Sequence, residues 1–195
     1  MISYRQLLGN RYADNTALST FTTEASLLSG FQQPVLWHPH LDLTQIGRQF
    51  RLGARGVIST HASGSPTFTF RVYLGSTKMT ADNQASPAGT VVGVSPALVG
   101  GVSFVNTAWS LELFLTLTAA GLGTSKATIQ SAGTIISPAF TTYVGDLVPT
   151  QQNATWTATS FDSSVDNFFQ ISCACSASQS DNAVQLKQWE LEALN

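Results

Sequence analysis

The run Trp109-Ser110-Leu111-Glu112-Leu113-Phe114-Leu115-Thr116-Leu117-Thr118 decides the fold. Successive side chains of a strand point to opposite faces. Here Trp109, Leu111, Leu113, Leu115 and Leu117 share one face, and Ser110, Glu112, Phe114, Thr116 and Thr118 share the other. A helix would space its apolar residues three and four apart, whereas strict alternation with threonine predicts a half-buried strand. Ala120-Gly121-Leu122-Gly123-Thr124 then turns the chain, and residues 126–136 read as a returning strand that ends at Ser137-Pro138.

The same period recurs on both sides. Phe50, Leu52, Ala54, Gly56 and Ile58 form one inward set, and Phe68, Phe70, Val72 and Leu74 another, with Thr67, Thr69, Arg71 and Tyr73 outward. The turn cluster His61-Ala62-Ser63-Gly64-Ser65-Pro66 lies between them, so the two runs are expected to pair as a hairpin. Further strands are expected at Val35–His38, Thr90–Val94, Ala154–Thr159, Asn167–Ser176 and Val184–Leu194. In the last, Val184 and Leu186 do not share parity with Trp189 and Leu191, which predicts a bulge near Lys187 or burial on both faces. No stretch reads as a helix of more than three turns. About eight or nine short strands between polar turns make an all-β fold, a single antiparallel β-sandwich or jelly roll over residues 33–195.

Residues 1–32 have no sustained period but hold too many apolar groups for a free tail. They read as an extended N-terminal arm that docks on its own sandwich or on another subunit, or equally as a strand and loop of the same domain. Leu7, Leu8, Arg11, Tyr12 and Phe21 are its candidate anchors.

Composition bounds the function. The 195 residues are 43% apolar and only 10% charged, and 23 threonines and 22 serines replace the missing charge. Disorder requires low hydrophobicity with high charge. A net charge of -2 lacks the electrostatic footprint of a nucleic-acid binder. No run reaches the roughly 18 apolar residues of a membrane helix, and the opening Met1-Ile2-Ser3-Tyr4-Arg5-Gln6 has no signal-peptide pattern, so synthesis and use without the usual export route are expected.

Chemical motifs are sparse. His38-Pro39-His40 has metal-ligand spacing of the kind cupin barrels use, but Pro39 suits a strand end and the only further histidine is His61, so surface or interface histidines are the competing reading. Cys173 and Cys175, two apart on one strand face, read as buried apolar groups without a disulfide. Asp162 and Asp166 read as turn formers or, alternatively, as calcium ligands. There is no G-x-S-x-G elbow and no phosphate loop. Neither an enzymatic activity nor a cofactor is expected. Arg51, Arg55 and Arg71, with Tyr73, form one candidate interface face, to be met by carboxylates of an adjacent subunit or by solvent.

Three stretches are similar to small β-rich virion structural proteins of tailed bacteriophages: Leu8-Gly9-Asn10-Arg11-Tyr12-Ala13-Asp14, then Gly47–Gly56 with Pro66-Thr67-Phe68-Thr69-Phe70, and the ending Asp181–Leu191. The resemblance implies a jelly-roll-like capsid decoration or cement protein, a homotrimer made in the host cytoplasm and located in the virion. Its partners would be the major capsid protein and other copies of itself, with no direct nucleic acid or membrane contact. The alternatives are a tail or fibre-tip module that recognises a host glycan through Trp37, Tyr143 or Trp156, and a cupin-like metal enzyme at His38 and His40.

Overall fold

The structure is a computed structural model that describes residues 5–12, 17–28, 35–37, 46–76, 87, 89–121, 127–149, 157–163 and 165–194. Among these residues there is no helix, and none therefore long and apolar enough to cross a membrane. The described residues form fourteen strands in chain order: β1 (Arg5–Tyr12), β2 (Leu18–Ser19), β3 (Ala25–Ser26), β4 (Val35–Trp37), β5 (Gln49–Ser59), β6 (Thr67–Gly75), β7 (Thr90–Val94), β8 (Leu98–Val99), β9 (Thr107–Ala119), β10 (Ala127–Ile136), β11 (Val144–Leu147), β12 (Thr157–Phe161), β13 (Asn167–Cys175) and β14 (Ala183–Leu194). Nine of them have five residues or more, and the others are short pieces that extend sheet edges.

Two antiparallel sheets face each other as a sandwich. The larger has the order β1-β14-β5-β9-β10-β11, with β12 also on β10 and β2 also on β14. The smaller has the order β3-β13-β6-β7, with β4 on β13 and β8 on β6. The alternating residues expected inward meet between the sheets: Phe50, Leu52, Leu113, Leu115 and Leu191 from one and Phe68, Phe70, Val72, Phe169 and Ile171 from the other are buried. Phe70 ties the layers together, with its ring 5.3 Å from Trp109 and edge-on to Phe140 at 6.3 Å. Gly56 makes room for that indole, since a Cβ there would lie 2.8 Å from Trp109 and 1.9 Å from the Gln185 carbonyl. The indole N–H donates to the Val57 carbonyl at 3.2 Å.

The strand expected to return after β9 is β10, which pairs with it antiparallel, with a register shift between Thr128 and Ile129. The expected change of phase in β14 is a bulge: the ladder to β5 shifts between Leu186 and Gln188, so Lys187 is the extra residue and Trp189 returns to the core. The expected β5–β6 hairpin is corrected. β5 pairs with β14 and β9, and β6 pairs with β13, β7 and β8. Alternation identifies each strand but not its sheet, and the six residues from His61 to Pro66 cross from one layer to the other.

The N-terminal segment docks within its own chain. β1 pairs with β14 over Arg5 to Tyr12, β2 also pairs with β14, and β3 pairs with β13. Leu27 and Leu28 are buried in the common core, and Leu8 and Phe21 pack against it. Leu7 is exposed. The backbones of Arg11 and Tyr12 lie opposite Trp189 and Gln188, and their side chains lie outside the described residues.

Many hydroxyls are spent inside the sandwich. Ser131 Oγ donates to the Val92 carbonyl across the two sheets, and Ser163 Oγ donates to the Gly121 carbonyl at 2.7 Å. Ser95 Oγ accepts the Phe70 N–H at 3.0 Å. Each supplies a partner to a backbone group removed from water.

Candidate functional site

The predicted arginine face is divided between the two layers. Arg51 lies on the outer face of the larger sheet, where its Nε donates to Glu112 on β9 and its Nη1 stands 3.2 Å from Glu190 and 3.1 Å from Glu192 on β14. The hydrogen bond to Glu112 raises the Arg51 pKa against partial burial, with Glu192 next in effect. Arg71 lies on the smaller sheet and pairs with Glu24 at 2.8 Å. The other Glu24 oxygen accepts Tyr73 Oη at 2.9 Å and the Ser172 hydroxyl. Burial first, and then the Glu24 hydrogen bond, push the Tyr73 phenol up to about 12. The expectation that an adjacent subunit supplies the partners is thus corrected for Arg51 and Arg71, whose carboxylates come from their own chain. Arg55 is exposed, and no carboxylate among the described residues pairs with it.

Beside the Arg51 cluster, the larger sheet leaves a different surface over β9, β10 and β11. Outward-facing Phe114 is 47% exposed, and Ile136 and Val144, partners across the β10–β11 ladder, are each 45% exposed. Across the ladder Phe114 faces Ala132 and Ile136 faces Ser110, with Glu112 and Thr134 between the two pairs, and a shallow depression of about 370 Å³ lies beside Phe114. The acidic groups on this surface are Glu112, engaged by Arg51, and Asp146. Phe114 stands out in the sequence as the apolar member of a nominally polar face; Ile136 and Val144 carry no such signal, since each lies at a strand terminus where alternation is weakest.

A second concave region sits at one end of the sandwich, over the ends of the neighbouring strands β14, β5 and β9. It has a volume of about 450 Å³ and is lined by Ser59 and Thr60, by Phe104 and Val105, and by Ser180 and Asp181. The loop between β8 and β9 has left-handed backbone at Ser103 (φ 60°) and Asn106 (φ 48°). It is pinned by the Thr60 N–H to the Phe104 carbonyl at 2.9 Å, and by the Phe104 N–H to Thr60 Oγ1 at 3.1 Å.

His61 stands at the rim of this cleft, with Nε2 3.8 Å from Asp181 Oδ2 and Nδ1 3.1 Å from Ser63 Oγ. The Ser63 backbone N–H donates to Nδ1 at 3.0 Å, so the lone pair a general base would turn on Ser63 Oγ is already engaged. The trio braces the β5–β6 crossover. His38 and His40 lie outside the described residues, as do Trp156 and the side chain of Trp37. Tyr143 is exposed, on left-handed backbone at φ 60°. Among the described residues no three histidine, cysteine, aspartate or glutamate side chains are grouped to hold a metal ion. The Asp162–Asn167 turn is closed by Asn167 Nδ2, which donates to the Asp162 and Val165 carbonyls at 2.7 and 2.8 Å. Cys173 and Cys175 are free and buried, and burial pushes both thiols above their ordinary range.

No family model matches the chain, and no curated protein matches it. Solved structures similar to it include peanut lectin with a nine-residue peptide, at 8% identity and a TM-score of 0.38, covering 100% of this chain and 98% of that one. The metal-free lectin I-B4 from Griffonia simplicifolia matches at 10% identity and 0.35, covering 99% of each chain. A legume lectin-like domain from Entamoeba histolytica matches at 10% identity and 0.35, covering 94% of this chain and 88% of that one. At such scores these likenesses carry no argument about what this chain binds, and the sandwich is read from its own two sheets.

Proposed function

We propose that this protein is a non-enzymatic virion structural protein of the capsid decoration or cement type. In this reading it assembles as a homotrimer, is made in the host cytoplasm and stiffens a phage head by lying across neighbouring copies of the major capsid protein. Its contacts are with protein rather than with nucleic acid or membrane.

One observation supports the reading most: the outer face of β9, β10 and β11 presents Phe114, Ile136 and Val144 among hydroxyls, while Glu112 on that face is engaged by Arg51 of the same chain. Removing such a surface from water costs far less than removing free charges. Its exposed aromatic and aliphatic groups supply apolar contact. Weak contacts by each subunit add through multivalency when a trimer spans several capsid subunits. The docking of the N-terminal segment within its own sandwich moves the attachment role from that segment to this face.

Co-sedimentation with capsids of the parent phage tests it. The protein is expected to pellet with them as a trimer by analytical ultracentrifugation, and Phe114→Asp with Ile136→Asp is expected to release it while leaving the thermal transition in place. A monomer that ignores the capsids, or a variant that binds as well as the parent, overturns the proposal.

A further inference from the structure

The cleft at the end of the sandwich has a chemistry that the docking face lacks. Thr60 is only 3% exposed. Its Oγ1 accepts the Phe104 N–H, and its own proton has no acceptor among the described residues. The half-buried Ser59 beside it also accepts through its Oγ, from the Asn106 N–H at 3.0 Å, and its proton is unspent among the described residues. A buried hydroxyl with an unspent donor in the wall of a cleft is costly unless something arrives to accept it. Across from these donors, Asp181 presents a carboxylate whose side chain is 65% exposed, with Ser180 Oγ at 3.3 Å. Phe104 and the 75% exposed Val105 supply an apolar wall between them.

We infer that this cleft is a saccharide-binding site, in which Asp181 accepts hydrogen bonds from sugar hydroxyls, Ser59 and Thr60 donate to them, and the Phe104–Val105 wall takes a C–H face of the ring. A sugar hydroxyl is both donor and acceptor, so one ligand satisfies both walls. An anionic ligand would meet the Asp181 charge, and a metal ion would find one carboxylate among hydroxyl donors. A purely apolar ligand would strip water from Asp181 and return nothing. The site is preorganised: the Phe104 ring lies where a Cβ on Gly101 would come within 2.5 Å of it, and the loop is held by hydrogen bonds at both Thr60 and His61.

The proposal does not rest on capsid attachment. The protein is titrated with glucose, galactose, mannose, N-acetylglucosamine and rhamnose while backbone amide shifts are followed by NMR, and is applied to an oligosaccharide array. At least one sugar is expected to move the Ser103, Phe104 and Asp181 amides saturably. Asp181→Asn, on an exposed side chain, is expected to weaken that binding by about tenfold, the worth of a hydrogen bond to a charged group. Thr60→Val is expected to weaken it as well, and Phe114→Asp on the docking face to leave it unchanged. Silence of these amides with all five sugars together with a blank array overturns the inference, and so does binding that Asp181→Asn leaves intact.

Discussion

Arg51 and Glu112 join adjacent strands of the larger sheet through a charge-assisted hydrogen bond that reaches diagonally from β5 to β9. The same guanidinium faces Glu190 and Glu192 on the other flank of β5, so one cation holds three strands in register and prevents three carboxylates from opposing one another.

Replacement of that cation should therefore cost more than an ordinary surface ion pair. Arg51→Gln leaves the three glutamates facing each other, and a loss of about 1–3 kcal/mol is expected in urea unfolding at neutral pH. The group is partly solvated, so the loss should shrink in 1 M salt, where the screening length is about 3 Å. An equal loss at low and high salt would indicate packing rather than charge.

The burial of Tyr73, together with its hydrogen bond to Glu24, predicts an alkaline limit to stability. The folded phenol ionises at about 12, above its ordinary value of 10. Its stabilising contribution is complete below pH 10 and is lost as pH rises from 10 to 12, because the unfolded phenol releases its proton first. Cys173 and Cys175, raised by burial, add a loss of the same sign from about pH 9 upward. Tyr73→Phe should thus show a shallower decline above pH 10, the remainder belonging to the thiols. Thermal unfolding in buffers from pH 8 to pH 12 checks this, and a phenolate absorbance titration of the folded protein gives the shift directly.

The pairing of β1 with β14 predicts what truncation does. Gly9 leaves the Trp189 indole room, since a Cβ there would lie 3.1 Å from the ring, and Trp189 is 5% exposed. Removal of residues 1–12 strips one whole flank of β14 from Gln188 to Leu194. Tryptophan emission should shift to the red and the melting temperature should fall, by about 2–4 °C for each kcal/mol lost in a chain of this size. An unchanged melting temperature would mean that β1 contributes nothing to the sandwich.

What the sequence made legible followed from local periodicity. The inward sets of β5, β6 and β9 were readable because each alternates over several residues, and the Lys187 bulge in β14 was readable because parity fails there. β2, β3 and β8 are two residues long and exist only through their partners, so no local period marks them. Arg51 and Arg71 were grouped because their strands are consecutive, whereas a six-residue crossover places them on opposite layers. The walls of the cleft come from residues 59–60, 103–105 and 180–183, segments that converge only once β14, β5 and β9 lie side by side. Their hydroxyls read in isolation as ordinary turn residues.

The position of β14 also sets the order in which the molecule can be finished during synthesis. It leaves the ribosome after the other described strands, yet it sits between β5 and the β1–β2 edge and supplies the ladder for both. Until it emerges, the hydrogen-bonding groups along one side of β5 and those of the N-terminal strands await a template more than 120 residues downstream. Nascent chains are thus expected to depend on protection against mispairing until β14 has emerged, with maturation of the larger sheet a late, single closing event.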